Sequence, residues 1–226
     1  MHKKNTLMLT RSEENYLKTI LHLSEETQKP VSTNAVADKL STKAASATDM
    51  IQKLAAKGLA SYYKYKGVKL TTKGTREALR VVRKHRLWEV FLLKELHFKW
   101  DEVHEIAEQL EHIKSPLLIE RLDEHLGFPK FDPHGDPIPN ANGEVVTIPT
   151  TTLSILNPGE RCRVICAKDS SSDLLTYLDK IDISLGVEIE IMEFHAFDSS
   201  FSIRVEGAGP ITLSSKVAEN IIIERL

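Results

Sequence analysis

The chain has 226 residues, of which 41% are hydrophobic, and its formal net charge is −2. This length can bury a core, whereas no apolar run reaches the ~18–20 residues of a membrane span and no signal-peptide segment opens the chain. We therefore expect a soluble, cytoplasmic protein. The charge is uneven: residues 1–86 contain 18 Lys and Arg against 7 Asp and Glu, and residues 87–226 contain 12 against 25. The basic first third predicts contact with a polyanion, most simply nucleic acid.

The first 74 residues have the pattern of a winged helix-turn-helix. Thr10 and Glu13 match a capping box, which predicts the start of a first helix with an apolar stripe. Two more helices are predicted at about 33–40 and 46–57, followed by two short strands that form a hairpin. In this fold the second helix of the tight pair enters the major groove and the hairpin contacts the DNA backbone.

The second of these two helices has the composition of a DNA-recognition helix. Small residues open it, which allows close approach to base edges, while lysines around it and in the hairpin suit phosphate contacts. Asp49 is the only acid there and could accept a hydrogen bond from a cytosine amino group. The predicted DNA-binding residues are Thr33, Lys43, Ala45, Ser46, Thr48, Asp49, Lys53, Lys64 and Lys66. A helical bundle without a nucleic-acid partner is the alternative.

Three further helices are predicted at about 75–96, 101–113 and 116–126, the last started by Ser115 and Pro116. Their apolar surface exceeds what a DNA-binding domain needs, which favours a dimerisation role. Six of the nine prolines then fall within 127–158, which predicts a linker or an extended loop.

From residue 160 onward, five β-type segments and one helix predict a small SH3-like β-barrel. The only two cysteines, Cys162 and Cys166, fall in its first strand and are expected to be half-buried structural thiols. The predicted fold is mainly α with a small β domain. Its expected parts are a DNA-binding domain at 1–74, a helical metal-binding and dimerisation domain at 75–140, a linker at 141–159 and the SH3-like domain at 160–226.

The segment HEIAEQLEH, residues 104–112, concentrates histidine and glutamate on one helix face. At 100° per residue, Glu108, Glu111 and His112 fall within about 100° of arc around His104. Massed carboxylates and imidazoles without interspersed lysines repel one another, and a divalent ion is the simplest relief. The alternative is a solvated face of an acidic domain.

The preceding long helix offers a matching pair one turn apart, His85 and Glu89. An antiparallel approach of the two helices would bring an imidazole and a carboxylate from each together, which favours a metal site. The remaining histidines are expected to be surface, turn or core residues: His2, His22, His97, His125, His134 and His195.

In order and spacing, the segments LTTKG, RKHRLWEVFL, VHEIAEQLEH and GFPKFDPHGDPIP resemble the metal-dependent repressors typified by the diphtheria toxin repressor and the manganese transport regulator. The resemblance covers nearly the whole chain and is to the three-domain branch of that family. It implies a homodimeric transcriptional repressor that binds double-stranded operator DNA, controls metal-ion homeostasis genes and is not an enzyme.

The same resemblance implies two metal sites per subunit. The primary site would use Asn15, Glu108, Glu111 and His112; the ancillary site would use His85, Glu89 and His104, with Asp173, or less favourably Asp169, from the third domain. The family has methionine or aspartate at the position of Asn15, and a neutral carbonyl should bind a cation more weakly. Glutamate at position 108 typifies the manganese-responsive members and cysteine the iron-responsive ones. A sulfur-free ligand set also suits Mn(II), with Fe(II) as the alternative.

Two other classes are weighed against this hypothesis. A metallohydrolase could use a His/Glu cluster, but the sequence has no H-E-x-x-H or G-x-S-x-G motif, and hydrolysis would not explain the basic helix-turn-helix. A DNA-binding regulator of an organic ligand would leave the acidic cluster solvated. We expect neither an organic substrate nor a membrane partner.

Overall fold

The computed structural model of the chain describes residues 8–27, 29–63, 66–99, 102–145, 151–168, 171–207 and 209–226. These residues form two compact units: the first takes its residues from 1–85, 109–114 and 139–144, and the second takes its residues from 86–108, 115–138 and 145–226. The architecture is mainly helical with a smaller β domain, as predicted. Within the described ranges, no helix is both long enough and apolar enough to cross a bilayer.

The first unit contains a winged helix-turn-helix. Its elements are α1 (Arg11–Thr27), α2 (Thr33–Lys39), α3 (Ala44–Ala56), β1 (Ala60–Tyr63) and β2 (Gly67–Leu70). The predicted capping box is confirmed, because the Thr10 amide donates to Glu13 Oε2 at 3.0 Å and the Glu13 amide donates to Thr10 Oγ1 at 3.3 Å. The strands pair antiparallel from Ala60 with Leu70 to Tyr63 with Gly67, which gives the predicted hairpin.

Apolar side chains of α1 and α3 fill the core of this unit. Leu17 and Ile20 on α1 and Ile51 and Leu54 on α3 are fully buried in one cluster. Helix α3 begins at Ala44, two residues before the predicted start, because the Lys43 carbonyl already accepts from the Ala47 amide at 3.0 Å. The recognition helix therefore presents one more half-turn of small residues than expected.

Three helices follow the hairpin: α4 (Thr72–Lys94), α5 (Val103–Leu110) and α6 (Pro116–His125). Helix α4 starts earlier than predicted because Thr71 Oγ1 accepts from the Gly74 amide at 3.1 Å and caps the helix. The predicted start of α6 is confirmed, with Ser115 accepting from the Leu118 amide at 3.3 Å. Helix α5 is shorter than the predicted 101–113, and the residues after Leu110 form a turn.

The proline-rich segment contains a compact folded loop rather than only an extended linker. Phe131 and Pro137 form an isolated β-bridge, and Asp132 Oδ1 accepts from the amides of His134 and Asp136, each at 2.9 Å. A side-chain acceptor at the start of such a turn replaces regular backbone pairing, which is why periodicity did not predict it. Asp132 and Ile138 are buried in this loop.

The C-terminal part of the second unit is an SH3-like domain. It consists of a 3-10 helix (Leu153–Ile155), β3 (Arg161–Ala167), α7 (Ser172–Lys180), β4 (Glu188–His195), β5 (Ser200–Val205), β6 (Pro210–Leu213), α8 (Ser215–Ala218) and β7 (Ile221–Arg225). The strands form one antiparallel sheet in the order β6-β5-β4-β3-β7. Leu153 and Leu156 are buried in its core, so part of the predicted linker at 141–159 packs within this domain.

Both cysteines lie in β3 and are free thiols. They are fully buried rather than half-buried, with Cys162 and Cys166 exposed by 0% and 2%. Burial raises the pKa of each thiol to about 11, so both remain protonated at neutral pH and are poor nucleophiles.

Candidate metal centre and DNA-binding surface

In the first unit, Glu111 is held by two partners on one carboxylate oxygen. Its Oε2 accepts from Lys18 Nζ at 2.7 Å and lies 2.7 Å from His85 Nδ1. Burial by itself would raise the pKa of Glu111, but the His85 hydrogen bond and the Lys18 ammonium together hold that pKa below its usual value. Glu111 is therefore a carboxylate at neutral pH, and both partners lie on the same oxygen.

His112 directly follows Glu111 and is oriented by a carboxylate of α1. His112 Nδ1 lies 2.6 Å from Glu14 Oε2, which assigns the proton to Nδ1 in the neutral ring. Nε2 then presents a lone pair. It lies 3.5 Å from Glu111 Oε1, and two electron-rich atoms so close together are stabilised by a proton or a metal ion between them.

On α1 and in the turn after α5, three buried polar atoms have no hydrogen-bond partner among the described residues: Asn15 Oδ1, Glu111 Oε1 and His112 Nε2. Buried acceptors are nearly always paired, and each unpaired one costs about 1–3 kcal/mol. All three belong to residues predicted as primary-site ligands. Their oxygen and nitrogen atoms fit a hard or borderline divalent cation, so the residues present are suited to the metal that the sequence implied.

Glu14 was absent from the predicted site, although the sequence contained a signal for it. It lies three residues before Leu17 and seven before Leu21, so it falls on the apolar stripe of α1, and it is 8% exposed. A carboxylate on an apolar stripe requires a partner, and His112 is that partner, with Lys84 Nζ at 3.4 Å. Glu14 holds the histidine ring through Nδ1, an arrangement typical of the residues that orient a metal ligand.

A second cluster lies in the second unit around Glu89, whose side chain is 2% exposed. One oxygen lies 3.2 Å from His104 Nδ1 and the other lies 3.6 Å from His134 Nδ1. Glu89, Asp132 and His134 each offer a ligand atom within 4.8 Å of the others. This group is suited to a divalent cation, and it adds two residues that the sequence did not predict. His134, expected to be a surface, turn or core residue, lies in this cluster because the loop described above folds back.

Negative charge is concentrated at this second cluster. Burial, together with the carboxylates of Glu89 and Asp136, raises the pKa of Asp132 to about 7. Arg86 offsets only part of this, with Nε 3.4 Å from Asp132 and Nη2 3.3 Å from Asp136. A divalent cation bound here would favour the ionised carboxyl and release its proton.

The remaining predicted ligands have different surroundings. His85 lies one turn before Glu89 on α4, as expected, and His85, Glu89 and His104 each offer a ligand atom within 4.8 Å of the others. His85 Nδ1 also contacts Glu111. Glu108 is half-exposed, with Oε1 3.7 Å from His104 Nε2. Asp173 is exposed in the first turn of α7, and the metal-competent clusters of the described residues do not include it. Asp169 lies outside the described residues.

The predicted DNA-binding residues fall largely on the solvent side of the helix-turn-helix. One side of α3 is buried in the core through Ala47, Ile51 and Leu54, and the opposite side is exposed. The exposed predicted residues are Lys43, Ala45, Ser46, Asp49, Lys53 and Lys66, while Thr33 and Thr48 are half-buried. The Thr48 hydroxyl donates to the Ala44 carbonyl at 2.8 Å, which occupies its proton. Lys64 lies outside the described residues.

Three family models match successive parts of the chain. They are the iron-dependent repressor N-terminal DNA-binding domain at residues 8–68, the iron-dependent repressor metal-binding and dimerisation domain at 71–140, and the FeoA domain at 151–225. A helix-turn-helix domain followed by this dimerisation domain defines a class: DNA-binding transcriptional repressors that depend on a metal ion, which are not enzymes.

Individual relatives agree with that class. The iron-dependent repressor IdeR of Mycobacterium leprae is 34% identical over 131 residues, which are 58% of this chain and 56% of that protein. The diphtheria toxin repressor of Corynebacterium diphtheriae is 26% identical over 195 residues, which are 82% of this chain and 86% of that protein. A solved manganese-dependent transcriptional repressor in complex with manganese is 39% identical, covers 95% of this chain and 100% of its own, and has a TM-score of 0.64.

The chain belongs to the family of metal-dependent transcriptional repressors that includes the diphtheria toxin repressor. The alignment spans about half of the length of the mycobacterial repressor, and the manganese-dependent structure is matched over its whole length.

Proposed function

We propose that this protein is a homodimeric repressor that binds operator DNA when Mn(II) is available and controls genes of metal-ion homeostasis, acting in the cytoplasm. The main support is the set of three unpaired buried acceptors, Asn15 Oδ1, Glu111 Oε1 and His112 Nε2. They belong to two separate chain segments, α1 and the turn after α5, and each atom lacks a hydrogen-bond donor within the described part of the chain. A single cation bound by all three would join α1 to that turn.

We propose that Asn15, Glu111 and His112 hold the first ion. Glu14 contacts His112 through Nδ1, and Lys18 and His85 contact Glu111 through Oε2, so His112 Nε2 and Glu111 Oε1 are the atoms left for an ion. When bound, a divalent ion would supply the positive charge that two facing electron-rich atoms lack. Glu108 stays a proposed ligand of this ion from the resemblance, since its half-exposed carboxylate contacts His104.

A second ion per subunit is proposed at Glu89, with ligands drawn from His85, His104, Asp132 and His134. The support is the 4.8 Å grouping of Glu89, Asp132 and His134 and the 3.2 Å contact between Glu89 and His104. Because the charge on Asp132 is disfavoured without a cation, binding here should be weaker at low pH than at pH 8.

Mn(II) is favoured over softer metals because all of these ligand atoms are oxygen or imidazole nitrogen, and the two cysteines are buried in β3, outside both clusters. Fe(II) has similar preferences and is the alternative effector. A manganese-dependent relative and iron-dependent relatives are both similar to this chain.

The homodimer is supported by exposed apolar side chains at and after α6. Leu117, Leu118 and Phe128 are exposed by 64%, 40% and 66%. Exposed apolar side chains on a folded chain favour association with another protein, and the matched domain is a dimerisation domain. Two copies would present two α3 helices, which matches an operator with two half-sites.

The mechanism follows from population shift. If metal binds more tightly to the position of α1 that allows DNA binding than to other positions, it increases the fraction of molecules in the DNA-binding state. The size of this shift is set by the ratio of the two metal affinities. The test is operator binding measured by fluorescence anisotropy with Mn(II) and with chelator. Operator binding that chelator weakens strongly and Mn(II) restores supports the proposal. Operator binding that is the same with and without chelator would favour a regulator of an organic ligand.

A further inference from the structure

The metal sites do not use Glu13, yet this carboxylate is completely buried in the first unit. Its Oε2 accepts from the Thr10 amide at 3.0 Å and from Lys57 Nζ at 2.9 Å. Its Oε1 lies 2.7 Å from the same Lys57 Nζ and 3.4 Å from Lys53 Nζ. Both oxygens are therefore occupied, and the two lysines belong to the last turn of α3 and the residue that ends it.

The position of Glu13 in the chain connects two functions. It lies one residue before Glu14, which contacts His112, and two residues before Asn15, whose buried Oδ1 has no hydrogen-bond partner among the residues that the structure describes. One turn at the start of α1 thus contacts the proposed primary metal site on one side. On the other side it contacts the end of the recognition helix through Lys57.

Apolar packing between α1 and α3 holds the helices together without fixing their relative position closely, because dispersion and hydrophobic contacts are not directional. A carboxylate that accepts both hydrogen bonds of one ammonium at 2.7 and 2.9 Å is directional. Separating this pair would leave a buried charge without its partner, which is strongly unfavourable. A movement of the start of α1 that keeps this pair intact must therefore be followed by the ammonium group of Lys57, at the end of α3.

We propose that Glu13 is a positioning residue that, through Lys57, transmits the metal-dependent position of α1 to the recognition helix. This inference rests on the proposed function, because it needs a metal-stimulated repressor. It concerns the coupling between metal binding and operator binding. Neither Glu13 nor Lys57 belongs to the proposed metal ligands or to the predicted DNA contacts, so both binding surfaces stay unchanged when they are substituted.

The quantity to measure is the coupling ratio, the operator Kd without metal divided by the operator Kd at saturating Mn(II). Glu13→Gln keeps the side-chain shape and the acceptor for Thr10, but removes the charge that holds Lys57. We expect the coupling ratio to fall on the order of tenfold, within the usual range of allosteric coupling. By reciprocity, operator DNA raises Mn(II) affinity by the same coupling factor, so this increase should also be smaller in Glu13→Gln, on the order of tenfold. Mn(II) affinity without DNA should change by less than about threefold.

A double-mutant cycle separates coupling from general damage. Lys57→Gln should lower the coupling ratio by a similar factor, and the double variant should lose little more, because the two residues act as one unit. Glu77→Gln is the matched control: it removes a carboxylate from an ion pair with Arg80, at 2.7 Å and partly exposed, and should leave the ratio unchanged. If Glu13→Gln does not fold, Lys57→Gln, whose side chain is 30% exposed, provides the test.

The outcomes distinguish this inference from the proposed function. Operator binding by the wild-type protein that ignores Mn(II) overturns the proposed function. Wild-type binding that depends on Mn(II), together with unchanged coupling ratios in Glu13→Gln and Lys57→Gln, overturns the role of Glu13 alone. Strictly additive losses in the double variant would also overturn it, since they would show that the two residues act independently.

Discussion

The sharpest consequence of the unpaired acceptors is that Mn(II) should stabilise the fold through His112. In the wild-type protein, Mn(II) at 100 times its Kd should add about 2.7 kcal/mol to the free energy of unfolding. His112→Ala removes Nε2, and loss of a metal-site residue of this kind weakens affinity by roughly 100-fold or more. The same Mn(II) concentration then only equals the Kd and adds about 0.4 kcal/mol, which leaves a difference of about 2.3 kcal/mol.

The measurement is urea unfolding of both proteins, metal-free and Mn(II)-loaded, in a Glu89→Gln background that weakens the second cluster. The increment on adding Mn(II) is the relevant quantity, because His112→Ala also removes the partner of the buried Glu14 and should by itself cost about 1.5–3 kcal/mol. An equal Mn(II) increment in the two proteins would refute the assignment of His112 as a ligand.

Three other predictions concern separate parts of the chain. Lys43→Ala should weaken binding to all DNA sequences and leave Mn(II) affinity intact. It should also reduce the slope of log K against log salt concentration by about one, which anisotropy at several salt concentrations measures. Gly135→Ala should destabilise the fold by roughly 3 kcal/mol more than the control Gly159→Ala: both residues have φ of +87°, but only at Gly135 would a Cβ meet Cys166 Cβ at 1.9 Å. In the folded metal-free protein the pKa of Asp132 is raised from 3.8 to about 7, so the free energy of unfolding should fall as pH rises from about 4 to 7. Asp132→Asn should remove this fall, which urea unfolding at pH 5 and pH 8 measures.

Local sequence rules predicted the starts of two helices, because the responsible groups are close in the chain. Thr10 with Glu13 and Ser115 with Pro116 predicted the starts of α1 and α6, and the structure contains the corresponding hydrogen bonds. The early start of α4 was missed because the cap is a single threonine hydroxyl, Thr71, without the Glu that would complete a capping box.

The site was predictable where helical periodicity applies and not where a loop folds back. His104 and Glu89 were expected to meet, and they do at 3.2 Å. His134 and Asp132 join them through a turn held by side-chain acceptors, which have no periodic pattern. Asp173 was expected by resemblance to reach the ancillary site; it is exposed on α7, and its role as a ligand stays a prediction.

The central claim is that metal occupancy governs DNA binding, and an anaerobic titration of operator binding tests it most directly. The protein, freed of metal by chelation, is titrated with Mn(II), Fe(II) and Zn(II) while the anisotropy of labelled operator DNA is followed. The account predicts weak operator binding without metal, strong stimulation by Mn(II), and no stimulation by Mn(II) in His112→Ala. Operator affinity that is the same with chelator and with Mn(II) would contradict it.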